Sequence, residues 1–164
     1  MAGISGTLTG VALRKLRAPA DGVNARIGAI QHSDSSLSAP GIRSIAVLHA
    51  GVDIIEKSGQ AHYPALLIYC DKLSNSLKEK FRRFSGKAHL TIEMRHSEDR
   101  IEALDSGTQV YVDAVCALLD DSRGDWGGGA FYAGGYDVTY EPIARGGKNF
   151  LQRAKVGFDV EISR

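Results

Sequence analysis

The feature that most constrains the fold of this chain is a change of hydrophobic period in its second half. Over residues 98–121, apolar side chains recur every three or four positions, which predicts one long amphipathic helix. Over residues 149–162, apolar and polar side chains alternate, which predicts a strand. The apolar face of that strand would hold Val156, Phe158, Val160 and Ile162. Because each element has one apolar face to bury, the pattern favours a sheet with a helix packed on it.

Further segments complete the predicted body. Residues 136–143 also alternate and are joined to the last strand by the sequence ARGGK, so the two segments should form a C-terminal β-hairpin. The apolar run 63–69 predicts a strand buried on both faces, whereas 87–96 reads as a strand with one wet face. β-Branched residues suggest another strand over 45–55. The sequence therefore predicts an α+β fold, with a mixed or mainly antiparallel sheet and one long helix on it.

The length of the chain favours a single domain comprising residues 1–164. Its first part, residues 1–44, is interpreted as a small N-terminal helical arm and loop, and 45–164 as the body. Residues 8–18 suit a short amphipathic helix that Pro19 ends. Residues 20–30 would add a turn or a strand, and the polar stretch 31–41 a loop. No apolar run approaches the roughly 18–20 residues of a membrane span, so no membrane partner is expected.

A basic segment at residues 75–86 is predicted to be an amphipathic helix. Leu77, Phe81 and Phe84 have helical spacing there. The cationic side chains of this segment and its flank are Lys78, Lys80, Arg82, Arg83 and Lys87. Such a face is either solvated, as on ordinary surface helices, or it contacts the phosphates of DNA. The formal net charge of the whole chain, +1, does not decide between these two roles.

The chain contains no sequence signature of catalysis, cofactor binding or metal binding. The glycines of residues 121–135 follow a predicted helix and precede a strand, the reverse of the order in a phosphate-binding loop. The five histidines are scattered without ligand spacing. The two cysteines, Cys70 and Cys116, lie in apolar sequence and are predicted to be buried reduced thiols. We therefore expect neither an enzyme nor a cofactor or metal site.

The glycine-rich stretch DSRGDWGGGAFYAGG is instead interpreted as an assembly joint. Loops rich in Gly, Ser and Asp stay mobile until a neighbour orders them, and aromatic side chains dominate the energetics of interfaces. Trp126, Phe131 and Tyr132 are thus either anchors on a neighbouring subunit or side chains buried in their own domain. The closing hairpin adds three further interface candidates: Arg145, Lys148 and Phe150.

Four elements, taken in order, resemble the tail terminator proteins of long-tailed bacteriophages, also called tail completion or minor tail proteins. They are the strands YPALLIYC and HLTIEMRHS, the helix SEDRIEALDSGTQVYVDAVCALLDD and the hairpin VTYEPIARGGKNFLQRAKVGFDVEI. The resemblance covers roughly residues 45–164 and is one of element order and residue texture. The extended N-terminus and the long glycine-rich insertion depart from the shorter members of the family.

The resemblance implies a structural virion protein without catalytic residues. Such a protein forms a ring, expected to be a hexamer, that caps the tail tube and joins it to the neck connector, with DNA passing through the lumen. It would be assembled in the host cytoplasm and reside at the tail–neck junction of the virion. Other neck and head-closure connector rings share this size and ring habit, and they remain the nearest alternative. A DNA-binding module that uses the basic segment 78–87 is the alternative from another class.

Overall fold

Three helices and eight strands make up the part of the chain that the computed structural model describes, residues 3–37, 39–47, 62–146 and 148–164. The helices are α1 (Ile4–Arg17), α2 (Val23–Ser33) and α3 (Ile101–Asp121). The first four strands are β1 (Ser44–Val47), β2 (Ala65–Asn75), β3 (Ser85–Glu98) and β4 (Gly124–Gly127). The remaining strands are β5 (Ala130–Tyr132), β6 (Asp137–Tyr140), β7 (Ala144–Gly146) and β8 (Asn149–Ser163).

The strands form one mixed, mainly antiparallel sheet in the order β1-β2-β3-β8-β5-β4. β1 pairs with β2 in parallel, and the other described pairs are antiparallel. The longest ladder joins β3 to β8, from Ser85 opposite Ser163 to Glu98 opposite Phe150. β6 and β7 also pair with β8, so the predicted C-terminal hairpin is confirmed. The prediction of an α+β fold with a helix on the sheet is likewise confirmed.

Helix α3 packs on the face of β3 and β8 that carries even-numbered residues. The alternation predicted for the last strand is confirmed, because its four apolar side chains are all buried. They meet Leu90, Ile92 and Met94 from β3 and Tyr111, Val115 and Leu118 from α3 in one hydrophobic core. The helix begins at Ile101 rather than at residue 98, since Glu98 still pairs with Phe150 in the sheet.

The described residues of the N-terminal segment, 3–37 and 39–44, contribute to this core. The predicted helix 8–18 is present as α1, one turn longer at its start, but residues 20–30 are mostly helical and belong to α2. Both helices contribute core side chains: Leu8, Val11, Leu16, Val23 and Ile27. The Tyr111 hydroxyl of α3 donates a 2.7 Å hydrogen bond to the Pro40 carbonyl, and Arg26 of α2 pairs with Asp121 at 2.7 Å. The N-terminal segment is therefore fastened to the middle of α3 and to its last residue.

The strand predicted over 45–55 is described only as far as Val47, and the remainder of that prediction lies outside the described residues. The predicted strand 63–69 is confirmed as the start of β2, whose first four residues are buried on both faces. The prediction of a wet face on β3 is wrong for its second half, where Glu93 and Arg95 are also buried. Their side chains pair with each other at 2.7 Å, and Lys155 of β8 approaches Glu93 at 3.7 Å. Mutual neutralisation allows these charges to be buried there.

The helix predicted over 75–86 is wrong, because this segment is the end of β2, a loop and the start of β3. β2 and β3 remain paired as far as Asn75 opposite Gly86. The Asn75 side chain then organises the turn, accepting from the backbone N–H groups of Leu77 and Ser85 and donating to the Arg83 carbonyl. Leu77 has a positive φ of 46°, which a helix does not permit. The pairing of β2 with β3 therefore determines the structure of this segment, although its apolar residues have the spacing of a helix.

The glycine-rich stretch is ordered as a β4–β5 hairpin, and its close approach to the end of β8 depends on one glycine. Gly129 has a φ of +81°, and a Cβ there would lie 2.1 Å from the Ser163 carbonyl oxygen. Its own carbonyl accepts a 2.9 Å hydrogen bond from the Ser163 N–H. This segment therefore forms a hydrogen-bonded hairpin within the single chain. The prediction that 122–135 stays mobile until a neighbouring subunit orders it does not describe this arrangement.

We expect Gly129→Ala to lower the free energy of unfolding by about 2–4 kcal/mol, from left-handed backbone strain together with the collision against Ser163. Gly128→Ala is the matched control, since Gly128 also has a positive φ, +62°, but open space around its Cβ position. The control should cost about 1 kcal/mol, the backbone term alone. Urea unfolding followed by circular dichroism measures both, and equal losses would contradict the close approach.

Candidate assembly surfaces

Two of the three predicted aromatic anchors lie in the core of their own domain. Trp126 is 8% exposed and Tyr132 is fully buried. Their rings pack with Phe158 of β8 at centroid distances of 5.3–5.9 Å. The Trp126 indole N–H donates to the Ser122 carbonyl at 2.8 Å, and the Tyr132 hydroxyl donates to the Gly135 carbonyl at 3.0 Å. The alternative left open by the sequence, burial within their own domain, is therefore what the structure shows.

Phe131 differs from the two aromatics because successive residues of a strand face opposite sides of the sheet. It is 49% exposed and pairs with Glu161 at the end of β8. Its ring lines a shallow cavity of about 200 Å³ together with Gly129, Lys78 and Glu161. Phe131 thus remains an interface candidate.

The three candidates in the closing hairpin lie together at the opposite end of β8. Arg145 of β7 pairs with Phe150 in the sheet and places its guanidinium 5.8 Å from the centroid of that ring. Arg145 and Lys148 are exposed, and Phe150 is half-buried. Arg145 and Phe150 therefore form one surface, which has the cation and aromatic character of many protein contacts, and Lys148 is exposed two residues before Phe150.

The most unusual surface is the end of the β2–β3 hairpin, residues 72–87, which we call the basic hairpin. It carries six cations and one carboxylate, a formal charge of +5. The cations are Lys72, Lys78, Lys80, Arg82, Arg83 and Lys87. Arg82 pairs with Glu79 at 3.5 Å, and within the described residues the other five form no ion pair. At the turn Phe81 is 100% exposed and Leu77 is also exposed.

The cations predicted to face DNA are divided between two places on this hairpin. Lys78 and Lys87 line a groove of about 300 Å³ together with Lys72, Ser74 and Ser76. Lys80, Arg82 and Arg83 lie on the turn itself, which the structure makes a loop and not a helix. Lys72 was not predicted, since it lies after the predicted strand 63–69 and six residues before the basic cluster. The register, which sets Lys72 opposite His89 and Ser74 opposite Lys87, brings it to the groove.

One end of this groove is acidic and holds His89. The Nδ1 atom of His89 lies 2.8 Å from Asp159, and its Nε2 atom lies 3.9 Å from Asp71. Asp159 also lines the groove. The lysine end of the groove would therefore attract anions, and the two carboxylates beside His89 would repel them.

Helix α3 has the opposite charge. Its 21 residues include five carboxylates and neither lysine nor arginine, a formal charge of −5. Four of them, Glu102, Asp105, Asp113 and Asp120, are exposed at helical spacing and form what we call the acidic stripe. Asp120 approaches Arg123 at 3.5 Å, whereas Glu102, Asp105 and Asp113 form no ion pair within the described residues.

The acidic stripe borders apolar surface. Tyr140 of β6 is exposed beside it, and burial of part of its ring, followed by the negative charge of Asp113, raises the pKa of the Tyr140 hydroxyl. Ile101 at the start of α3 is also exposed. The acidic stripe therefore combines carboxylates, three of them without an ion pair within the described residues, with large exposed apolar side chains. The basic hairpin has the same combination with the opposite charge.

The two thiols predicted to be buried and reduced are free and half-buried. Cys70 lies on β2 and Cys116 on α3. Burial raises the pKa of both thiols. A raised pKa keeps the thiol protonated and unreactive near neutral pH, so neither is a nucleophile candidate.

The described residues hold no group of three or more His, Cys, Asp or Glu side chains placed to bind a metal ion. None of the helices in that part of the chain is long and apolar enough to cross a membrane. A scan against protein-family models and a search of curated proteins found no match to this sequence.

Proposed function

We propose that this chain is a tail terminator of a long-tailed bacteriophage, a structural protein rather than an enzyme. In this role it forms a ring, expected to be a hexamer, that caps the tail tube and joins it to the neck connector. The observation that carries the proposal is the basic hairpin, which extends past the end of the β3–β8 ladder and presents a fully exposed Phe81.

The hairpin supports an assembly role on physical grounds. Large aromatic side chains supply much of the binding energy when they are buried at an interface. The loop that carries Phe81 is fixed by the three hydrogen bonds of the Asn75 side chain. A fixed loop loses less conformational entropy on binding than a mobile one.

The fold supports the same role. The buried strand, the long strand β3, helix α3 and the closing hairpin follow one another in the order on which the resemblance to tail terminators rests. The proposed partners are other copies of the chain, the tail tube protein and the neck connector, with DNA passing through the lumen. The proposed place of the protein is the tail–neck junction of the virion, and another neck or head-closure ring remains the nearest alternative.

We expect the purified chain, mixed with tail tubes of its own phage, to form a closed ring at one end of each tube and to stop the tubes from lengthening. Negative-stain electron microscopy gives the ring and the length distribution. A chain that stays monomeric in mass photometry, both alone and with tubes, would overturn the proposal. Rings bound to the neck connector but not to tubes would identify the alternative connector ring.

A DNA-binding module is the second candidate, and the groove lined by Lys72, Lys78 and Lys87 is the observation that favours it. Duplex DNA should then bind at low salt and dissociate steeply as salt rises, because bound cations displace counterions from the phosphates. The carboxylates of α3 weigh against this role, since they repel a polyanion that reaches beyond the groove. Fluorescence anisotropy over a salt series tests it, and absence of binding at low salt removes this candidate.

A further inference from the structure

We propose that the basic hairpin of one subunit docks on the acidic stripe of a second copy of the chain. The two surfaces would be the two halves of one head-to-tail contact, repeated around the ring. This inference rests on the proposed function and adds to it the identity of the surfaces that meet. It assigns Phe81 a partner that the described residues of its own chain do not provide.

The two surfaces carry opposite formal charges. The basic hairpin has a formal charge of +5 and helix α3 a formal charge of −5, whereas the whole chain has only +1. The charges are thus separated within the molecule rather than in excess. A chain built in this way is attracted to another copy of itself, because opposite potentials meet when copies stack in the same sense.

Large apolar side chains are exposed at both surfaces. Phe81 and Leu77 are exposed among the cations, and Tyr140 and Ile101 are exposed beside the carboxylates. An aromatic side chain that becomes buried at the centre of a contact supplies affinity, and the surrounding charges steer the approach and exclude other partners. Each of the two surfaces carries both components.

The position of the basic hairpin within one subunit also supports the contact. The loop of the basic hairpin is bonded to the end of β8, through Phe84 with Arg164 and through Glu79 with the Ser163 hydroxyl. Within the described residues it makes no hydrogen bond or ion pair to α3. The two surfaces are therefore different patches at different places. A contact in which each copy offers its hairpin to one neighbour and its stripe to another is heterologous. Heterologous contacts generate closed rings or open filaments rather than symmetric dimers.

Two charge-reversal variants test the contact. The hairpin variant carries Lys78→Glu, Lys80→Glu and Arg83→Glu, which spares the Arg82–Glu79 pair. The stripe variant carries Glu102→Lys, Asp105→Lys and Asp113→Lys. All six side chains are exposed, and none forms an ion pair within the described residues. Thermal unfolding matched to the parent chain verifies that each variant is folded.

Each variant alone should assemble at least about 100-fold more weakly than the parent, because like charges then face each other. An equal mixture of the two should recover assembly. In the mixture, the reversed hairpin meets the reversed stripe, and the native hairpin meets the native stripe. The recovered rings would alternate the two variants and contain an even number of subunits. A single chain carrying all six substitutions should also recover. Mass photometry over a concentration series measures all four samples.

A cross-linking experiment locates the contact directly. A carbodiimide joins a lysine amine to a carboxylate without a spacer, so it reports on ion pairs. Cross-links between Lys78 or Lys80 of an isotope-labelled copy and Asp105 or Asp113 of an unlabelled copy are the expected result. Intermolecular cross-links confined to other residues would overturn the inference.

The outcomes separate this inference from the proposed function. If the parent forms rings and both variants do so equally well, or if their mixture stays apart, the inference is wrong and the proposed function stands. If the parent never forms a ring, alone or with tubes, both fail. If the hairpin variant assembles normally but no longer binds DNA, the basic hairpin is a nucleic-acid surface and the inference is overturned.

Discussion

The Trp126→Ala protein is expected to lose about 3–5 kcal/mol of unfolding free energy, the usual cost of removing a large aromatic ring from a core. The ring packs against Tyr132 and Phe158, and its N–H satisfies the Ser122 carbonyl. Urea unfolding should be followed by far-ultraviolet circular dichroism, because Trp126 is the only tryptophan and fluorescence would lose its signal.

Phe131→Ala is the matched control for this experiment, since Phe131 lies in the same small hairpin but is 49% exposed. It should change the unfolding free energy by only about 0.5 kcal/mol. Trp126→Phe keeps a ring in the core but leaves the Ser122 carbonyl unpaired, which should cost about 1–3 kcal/mol. If Trp126→Ala were as stable as the parent and only ring assembly failed, Trp126 would be an interface anchor after all.

Acidification is expected to destabilise the protein through His96. This side chain is buried beneath α3, where its ring meets Tyr111 edge-on at 5.0 Å and lies against Gly107. Burial lowers the pKa of His96 from 6.5 to about 4. Its Nδ1 atom has no hydrogen-bond partner, and its Nε2 atom lies 3.4 Å from the Glu98 carboxylate. One carboxylate does not compensate for the burial of an imidazolium.

The direction of the pH effect follows from this lowered pKa. The unfolded chain takes up the proton near pH 6.5, whereas the folded chain resists it until about pH 4, so stability is lost as pH falls through this window. The loss attributable to His96 approaches about 3 kcal/mol below pH 4. Urea unfolding at a series of pH values measures it.

His96→Phe is the control for the pH effect, because it retains an aromatic ring and cannot titrate. The difference in unfolding free energy between parent and variant should grow as pH falls from 6.5 to 4, whatever the carboxylates contribute to both. A difference that stays constant over this range would contradict a neutral buried His96 in the folded protein.

The long helix and the closing hairpin were predictable because their signals are local and repeated. The 3.6-residue period of α3 extends over 21 residues, and the alternation of β8 survives even though its second edge is shared among three strands. Both patterns record the burial of one face, which any packing partner would satisfy. The helix and the strand could therefore be recognised without knowing which element each packs against.

The basic hairpin was mispredicted because its decisive interactions are not local. Leu77, Phe81 and Phe84 have helical spacing, but Asn75 is held opposite Gly86, and its side chain closes the turn. Phe81 consequently points into solvent instead of toward the core. The spacing of apolar residues cannot distinguish a buried face from an exposed turn when strand pairing decides the outcome.

The assembly surfaces show the same division. Trp126 and Phe131 were both predicted as anchors because they are aromatic residues of one glycine-rich stretch. In the sheet, Phe131 of β5 lies opposite Glu161 of β8 and is exposed, whereas Trp126 is buried. The absence of cations from α3 is visible in the sequence. Its relation to the basic hairpin is not, since the fold must first place the two charges on different parts of one subunit.

One edge of β8 is shared by β7, β6 and β5. This arrangement also limits aggregation between copies of the chain. Three short strands in succession occupy the hydrogen-bonding groups of a 15-residue strand that would otherwise invite strand addition from any nearby chain. In the described part of the sheet, the outermost strand beside β5, β4, is only four residues long. Crowded copies are thus steered away from cross-β aggregation and toward contacts made by side chains, where pairing can be selective.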